Sequence, residues 1–415
     1  MVARRPAIRS YAARTMYDSL DRLRARLESG EAVVAGCLSG TSADGIDVVL
    51  VRFDPGSGAP APFAFRTLPF EPSLRRRLRS LLDTPDPDVS LEAFALLHRD
   101  LGEAFGHAVG EVCGDAGVAA DLVGSHGQTL WHHDGRCGAG PASLQLGDGA
   151  RIAVGTGAVV VNDFRAMDLA LGGEGAPVSA LADPFLFPNL GEPVALLNLG
   201  GMANLTLLAP GRAPLAFDTG PAGSLLDGLA RRLLERDVDE GGAIASGGRA
   251  SEPIVAEFLA HPFFRREPPK STGRDTFGVD FVDRVVAAGG ALAPADLLAS
   301  AVELVARSVA DALERFARPR PARLLLCGGG IHNRALRSAL AARTGLAPES
   351  TGALGVDPDA REALVFAVLA RLAVLARPCT SPAATGARGG GVLGAIHLPP
   401  VPAGGRGAIR PDRAD

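Results

Sequence analysis

Apolar runs broken by glycine-rich polar turns recur along this chain of 415 residues. From Val33 an apolar run breaks at Gly40-Thr41-Ser42-Ala43-Asp44-Gly45 and resumes at Ile46-Asp47-Val48-Val49-Leu50-Val51. That pattern predicts a β-hairpin over 33–53 with a turn of small, φ-tolerant residues. Residues 193–208 repeat it around Gly200-Gly201. A third break, Gly328-Gly329-Gly330, follows an apolar strand over 323–327 and precedes a helix near 333–344. Leu91, Phe94, Leu97, Leu101 and Phe105 lie at helical spacing and predict a helix over 90–112, with another over 73–82. A short buried strand is expected over 121–125 and a β-branched strand over 154–163, running into Asp163-Phe164-Arg165 and Gly172-Gly173-Glu174-Gly175. Residues 55–62 and 379–391 read as loops, and 358–376 as a helix. Residues 1–30 read as a basic extension running into a short helix, with Leu20, Leu23 and Leu27 on one face. The tail 399–415 is rich in Pro, Gly and charge and is expected to be flexible.

Strand–glycine–strand twice and strand–triple-glycine–helix once, with helices between, argue for two α/β domains that each lend one phosphate hairpin to a shared cleft. The length also exceeds one ordinary core. A net charge of −4 gives no electrostatic footprint for nucleic acid. The five cysteines (Cys37, Cys113, Cys137, Cys327, Cys379) are scattered without a CxxC pair, so neither a disulfide framework nor a zinc ribbon is indicated, and a reducing cytoplasm fits. No apolar run is long enough to span a bilayer, so no membrane association is expected. Gly389-Gly390-Gly391-Val392-Leu393-Gly394 fits GxGxxG, but no βαβ unit can follow it. His132-His133 with Cys137 reads as an incidental loop, and no metal site is expected there. There is no GxxxxGK[ST] sequence, which excludes a P-loop kinase.

The first turn carries chemistry. Glycines let backbone approach a ligand, and Thr41 and Ser42 add hydroxyls beside backbone N–H groups, so the turn can hold phosphate oxygens without a lysine. Asp44 and Asp47 sit where a nucleotide's Mg²⁺ and its waters would lie. Taken alone, the same segment also fits an ordinary Ser/Asp-Gly hairpin.

Ten motifs in order decide more than any one of them: Ser39 through Asp47, Ser125-His126-Gly127-Gln128-Thr129, Leu144-Gln145-Leu146-Gly147-Asp148, Asp163-Phe164-Arg165-Ala166-Met167-Asp168 and Gly172 through Pro177. Leu197-Asn198-Leu199-Gly200-Gly201-Met202-Ala203-Asn204-Leu205-Thr206, Phe217-Asp218-Thr219-Gly220-Pro221, Pro269 through Arg274, Cys327 through Gly330 and Asp359 through Ala363 complete the series. From about residue 36 to 396 the chain resembles the anhydro-N-acetylmuramic acid kinases of the sugar kinase/Hsp70/actin superfamily. The resemblance implies a two-domain, actin-like (ribonuclease H-like) α/β ATPase fold with the ligand cleft between the domains. It places the first domain at 31–160 with 363–398 and the second at 161–362. It implies ATP and Mg²⁺ as cofactors, a small-molecule sugar as partner, and suggests a homodimer. The implied reaction transfers the γ-phosphoryl of ATP to O6 of 1,6-anhydro-N-acetylmuramic acid while water opens the anhydro bridge, in cell-wall recycling.

On that resemblance Asp218 is the general base, although Asp before Thr-Gly-Pro also suits a turn or helix cap. The cofactor set is Gly40, Thr41, Ser42, Ala43, Asp44, Gly45, Ile46, Asp47, Gly200, Gly201, Asn204, Gly328, Gly329, Gly330 and Glu362. Glu362 fits equally a solvated first-turn acid favoured by the helix dipole. The sugar pocket is assigned to His126, Gln128, Arg165, Asp168 and Glu174. Arg165 suits the lactyl carboxylate or a structural ion pair, and His126 suits ligand contact or a core histidine bonded to backbone. Lys270 and Arg274 read as surface charge. Three departures from the family pattern stand out: Glu174 for the usual Gln, Ala222-Gly223-Ser224 for Gly-Asn-Met, and His133-Asp134-Gly135 where a proline is common. They bear on the sugar, so a kinase for a related anhydro sugar such as levoglucosan is a second reading, and an ATP-binding sensor without turnover a third.

Overall fold

In the computed structural model, residues 9–40, 43–83, 90–135 and 140–400 are described. Among the described residues twelve strands build two sheets: β1 (Val34–Ser39), β2 (Gly45–Phe53), β3 (Pro60–Pro69), β4 (Leu122–Gly135), β5 (Gly140–Leu146), β6 (Val159–Asn162), β7 (Val194–Leu199), β8 (Met202–Leu208), β9 (Leu215–Pro221), β10 (Arg323–Cys327), β11 (Pro348–Ser350) and β12 (Ala395–His397). The first sheet runs β12-β6-β4-β1-β2-β3, with β5 paired to β4, and the second runs β11-β10-β7-β8-β9. Each begins with an antiparallel meander, β1-β2-β3 or β7-β8-β9, and adds two parallel strands beside the meander's first strand. One plan is used twice, which is the actin-like α/β fold.

Parallel strands need long crossovers, and helices supply them. Helix Leu91–Asp115, started by Ser90 Oγ accepting from Ala93 N, buries Leu97, Leu101 and Phe105 against the outer face of the first sheet. Helix Pro294–Phe316 buries its apolar stripe on the second sheet. Helix Arg361–Val374 is nearly all buried and packs on β1, β4 and helix Ser179–Leu186, within a core that takes residues from both sheets. It lies so close to the first sheet that a Cβ on Gly36 or Gly124 would stand 2.0 Å from the Ala363 or Phe366 carbonyl oxygen. A buried ion pair, Arg361 to Asp183, ties this helix to Ser179–Leu186.

Several expectations change. The strand expected over 121–125 runs on as β4 to Gly135, so His132 and His133 lie in a strand paired with β5 and not in a loop. Residues 149–156 form a helix, not the start of a strand, because Asp148 Oδ1 accepts from the N–H groups of Ala150 and Arg151, and the strand is only β6. β3 begins inside the expected loop at Pro60, since an exposed edge strand tolerates prolines that mask it in the sequence. The short N-terminal helix is 20 residues long, Arg9–Glu28; Leu23 and Leu27 are buried, and Arg24 Nε donates to the Val374 carbonyl at 2.9 Å.

Candidate active site

Asp218 lies in β9 and is 3% exposed. Its Oδ2 accepts from Thr272 N at 2.8 Å, its Oδ1 accepts from Asn204 Nδ2, and its own N–H donates to the Lys270 carbonyl at 2.9 Å. Burial pushes the carboxyl up to about 7; Thr272 and Asn204 pull it down, the Glu174 carboxylate raises it and Lys270 lowers it. A buried carboxylate held near neutrality is suited to taking a proton from water.

Arg165 lies within electrostatic reach of three carboxylates, those of Asp218, Asp168 and Glu362. Its Nε donates to His126 Nε2 at 3.2 Å, Nη2 lies 3.1 Å from that nitrogen, and Nη1 donates to the Gly175 carbonyl at 2.6 Å. Burial lowers its guanidinium to about 10, while the Asp218, Asp168 and Glu362 carboxylates act in the opposite sense. Two of its five N–H donors remain for a ligand. His126 stacks on Phe366 with ring centroids 4.5 Å apart. Burial and then the Arg165 charge hold its imidazole well below the usual range, so it is neutral, with Nε2 as acceptor.

The remaining expected sugar-side residues mostly brace the site. Asp168 is fully buried; Oδ2 accepts from Gly175 N at 2.9 Å and Oδ1 from Thr385 Oγ1 at 2.6 Å, and burial raises its carboxyl. Gln128 is buried and donates through Nε2 to the Gly40 carbonyl at 3.2 Å, so it steadies the first turn. Glu174 Oε2 accepts from Ser271 Oγ at 2.6 Å, next to Thr272 in the loop that holds Asp218.

On the nucleotide side, Thr41 and Ser42 lie outside the described residues. Ala43 N donates to the Gly40 carbonyl at 3.1 Å, Asp44 is exposed, Gly45 opens β2, and Ile46 is buried in the core behind the turn. Asp47 Oδ1 accepts from Thr67 Oγ1 at 2.6 Å. Burial chiefly, then Glu362, Asp44 and Asp359, push its carboxyl up to about 6, against the lowering by Thr67. Among the described residues no three His, Cys, Asp or Glu side chains converge to hold a metal alone. Magnesium takes one or two carboxylates and fills its shell with water and phosphate oxygens. Asp44 and Asp47, crowded by like charge, therefore fit a cation that arrives with a nucleotide.

The second hairpin turn is part of a helix cap: the Gly200 carbonyl accepts from Gly223 N at 2.9 Å, and the Gly201 carbonyl accepts from Ala222 N and Ser224 N at 2.9 and 3.0 Å. These bonds use the backbone of Ala222-Gly223-Ser224, so that departure leaves the turn built. Gly328 has φ 75°, Gly329 is exposed, and Gly330 lies against Leu199. Glu362 opens helix Arg361–Val374 and accepts from Asn198 Nδ2 at 2.9 Å.

The family model for anhydro-N-acetylmuramic acid kinase matches residues 32–399. The chain belongs to the anhydro-N-acetylmuramic acid kinase family. Relatives that bear this name include those of Salinibacter ruber, 42% identical over 92% of this chain and 100% of the relative, and of Xanthomonas axonopodis pv. citri, 44% identical over 87% and 97%. The Bacillus cereus relative is 35% identical over 89% and 100%. A solved structure of the activator of the 2-hydroxyisocaproyl-CoA dehydratase from Clostridium difficile with bound ADPNP is similar at TM-score 0.41 and 15% identity, over 83% of this chain and 96% of that one. That distance supports no argument about function.

Residues around the candidate site of this family member include some that sequence reasoning passes over. Lys270, read as surface charge, is 3% exposed; its Nζ sits 4.7 Å from the Phe263 ring centre and donates to the Phe263 carbonyl at 3.4 Å. The Pro/Ser/Thr loop around it hides the aromatic cluster that encloses it. Thr272, Thr385 and Asn198 also received no role. Only Asn198 left a signal, as a polar residue near the end of an otherwise apolar strand.

Proposed function

We propose that this protein is an ATP-dependent kinase that opens 1,6-anhydro-N-acetylmuramic acid with water and phosphorylates O6. The product is N-acetylmuramic acid 6-phosphate, and the reaction belongs to cell-wall recycling in the cytoplasm. The observation that carries the reading is Asp218: a buried carboxylate near neutrality, fixed by Thr272 and Asn204 and within electrostatic reach of Arg165. The names of the relatives favour this sugar over levoglucosan.

Asp218 takes one proton from water, and the water oxygen bonds to C1. The C1–O6 bond breaks, its electron pair passes to O6, and O6 attacks the γ-phosphorus as the bond to ADP breaks. One base thus serves both events, and the transfer itself needs mainly positioning and charge stabilisation. Arg165 offers its two remaining N–H groups to the lactyl carboxylate, while neutral His126 and the Gly175 carbonyl fix the guanidinium plane. Mg²⁺, held by Asp44 and Asp47, would neutralise phosphate charge when bound with ATP. The Gly40 turn, steadied by Gln128, would take the nucleotide phosphates, and the Gly328 turn, with its left-handed glycine, the adenosine.

The test is ADP release from ATP and Mg²⁺ with each sugar. The reading expects turnover on 1,6-anhydro-N-acetylmuramic acid far above that on levoglucosan. The reverse order would overturn the substrate, and ATP binding without turnover on either would overturn the enzyme.

A further inference from the structure

Four polar side chains from four elements form one row between the nucleotide side and the base. Asn198 Nδ2, on β7, donates to Glu362 Oε1 at 2.9 Å and lies 3.5 Å from Asn204 Oδ1 on β8. Asn204 Nδ2 then donates to Asp218 Oδ1 across the β8–β9 pair. On its other side Asn198 Oδ1 faces Cys327 Sγ at 3.6 Å and fills the space beside Gly328, where a Cβ would come within 2.6 Å of it. Asn198 therefore touches the helix start, the triple-glycine turn and the amide that holds the base.

A carboxamide has a donor end and an acceptor end, and the network decides which way it points. The Asn204 N–H is held on Asp218 more firmly while its oxygen faces a donor, and Asn198 supplies that donor. Asn198 is itself oriented by a carboxylate at its nitrogen and a thiol at its oxygen. We infer that Asn198 is a positioning residue that locks the Asn204 amide with its donor on Asp218, and so links the nucleotide side to the carboxylate that deprotonates water. The inference rests on the reading of Asp218 as base, and it moves Asn204 from phosphate contact to orientation of that base.

Without Asn198 the Asn204 amide is free to turn its oxygen toward Asp218, an arrangement that favours the protonated carboxyl. The other groups facing Asp218, namely Glu174, Lys270, Arg165 and the Thr272 N–H, are untouched by the substitution. Asn198→Ala is the test, with kcat/KM for the sugar followed from about pH 5.5 to about pH 9.5 at saturating ATP and Mg²⁺, and ATP affinity by calorimetry. The acid limb should move up by about one pH unit, a loss of about tenfold near pH 6 that shrinks to within about threefold near pH 9. ATP affinity should stay within about threefold. A loss equal at every pH, or weakened ATP binding with an unmoved acid limb, overturns the inference in favour of a structural or nucleotide-contact role. Should Asn198→Ala fail to fold, Asn198→Leu, which keeps the volume but offers no donor to the Asn204 oxygen, must shift the limb in the same direction; an unshifted limb there overturns it equally. Inactivity of the unsubstituted protein on the sugar at every pH is a different outcome and overturns the functional reading itself.

Discussion

Replacing Asp218 with Asn should stabilise the protein at alkaline pH while abolishing phosphorylation. The carboxyl is held up to about 7 against an ordinary value of 3.8. The folded state thus binds this proton more tightly than the unfolded chain does. Stability from this group is complete below the unfolded value, falls as pH rises through the window up to about 7, and is flat beyond. Between pH 5 and pH 8 the folded protein should lose about 3 kcal/mol through Asp218 alone, at 1.36 kcal/mol per pKa unit. An Asn at this position cannot titrate. It keeps the Thr272 N–H as a donor but sets two amide nitrogens together at Asn204, a fixed cost of about 1 kcal/mol that is the same at both pH values. Urea unfolding of both proteins at pH 5 and pH 8 measures the difference of differences, in which the titrating groups that do not interact with Asp218 cancel. Curves that move in parallel between the two pH values would refute the claim that burial raises this carboxyl. Calorimetry should show that the variant still binds ATP.

Three other expectations follow from the same geometry. The kcat/KM of the unsubstituted enzyme should rise about tenfold per pH unit below about 7 and level above it, since Asp218 must be deprotonated to act; a profile flat from pH 5 to pH 8 would contradict this. Gly36→Ala and Gly124→Ala should each cost about 3 kcal/mol or prevent folding, because the new methyl meets a carbonyl oxygen of a helix that has nowhere to go; urea midpoints near the parent's would show that the helix can shift. Arg361→Met should cost about 3–5 kcal/mol by stranding the Asp183 carboxylate, and adding Asp183→Leu should recover most of it; no recovery in the double variant would mean that the pair is not what the single change breaks.

The glycine breaks made the turns between strands legible, because a tight turn cannot hide its composition. The two hairpins, β1–β2 and β7–β8, and the triple-glycine turn follow directly from apolar runs stopped at Gly40, Gly200 and Gly328. What escaped was long-range. β3 carries prolines that an exposed edge tolerates, and the helix at 149–156 depends on one Asp148 cap, so each defeats a reading by strand period alone. Lys270 looks like surface charge until distant phenylalanines close over it. The amide row is harder still: Asn198 and Glu362 are 164 positions apart, and only the packing of helix Arg361–Val374 brings them together. Among the expected sugar-side residues, Arg165 and His126 bond to each other, whereas the sequence held nothing to show that Gln128 and Asp168 point into bracing bonds.

The account turns on one base opening the anhydro bridge with water while O6 takes the phosphoryl group. Mass spectrometry of the product formed from ATP, Mg²⁺ and 1,6-anhydro-N-acetylmuramic acid in ¹⁸O-water tests it directly. The account predicts one ¹⁸O at C1 in a sugar that carries its phosphate on O6. A phosphorylated sugar without the label at C1 would contradict it.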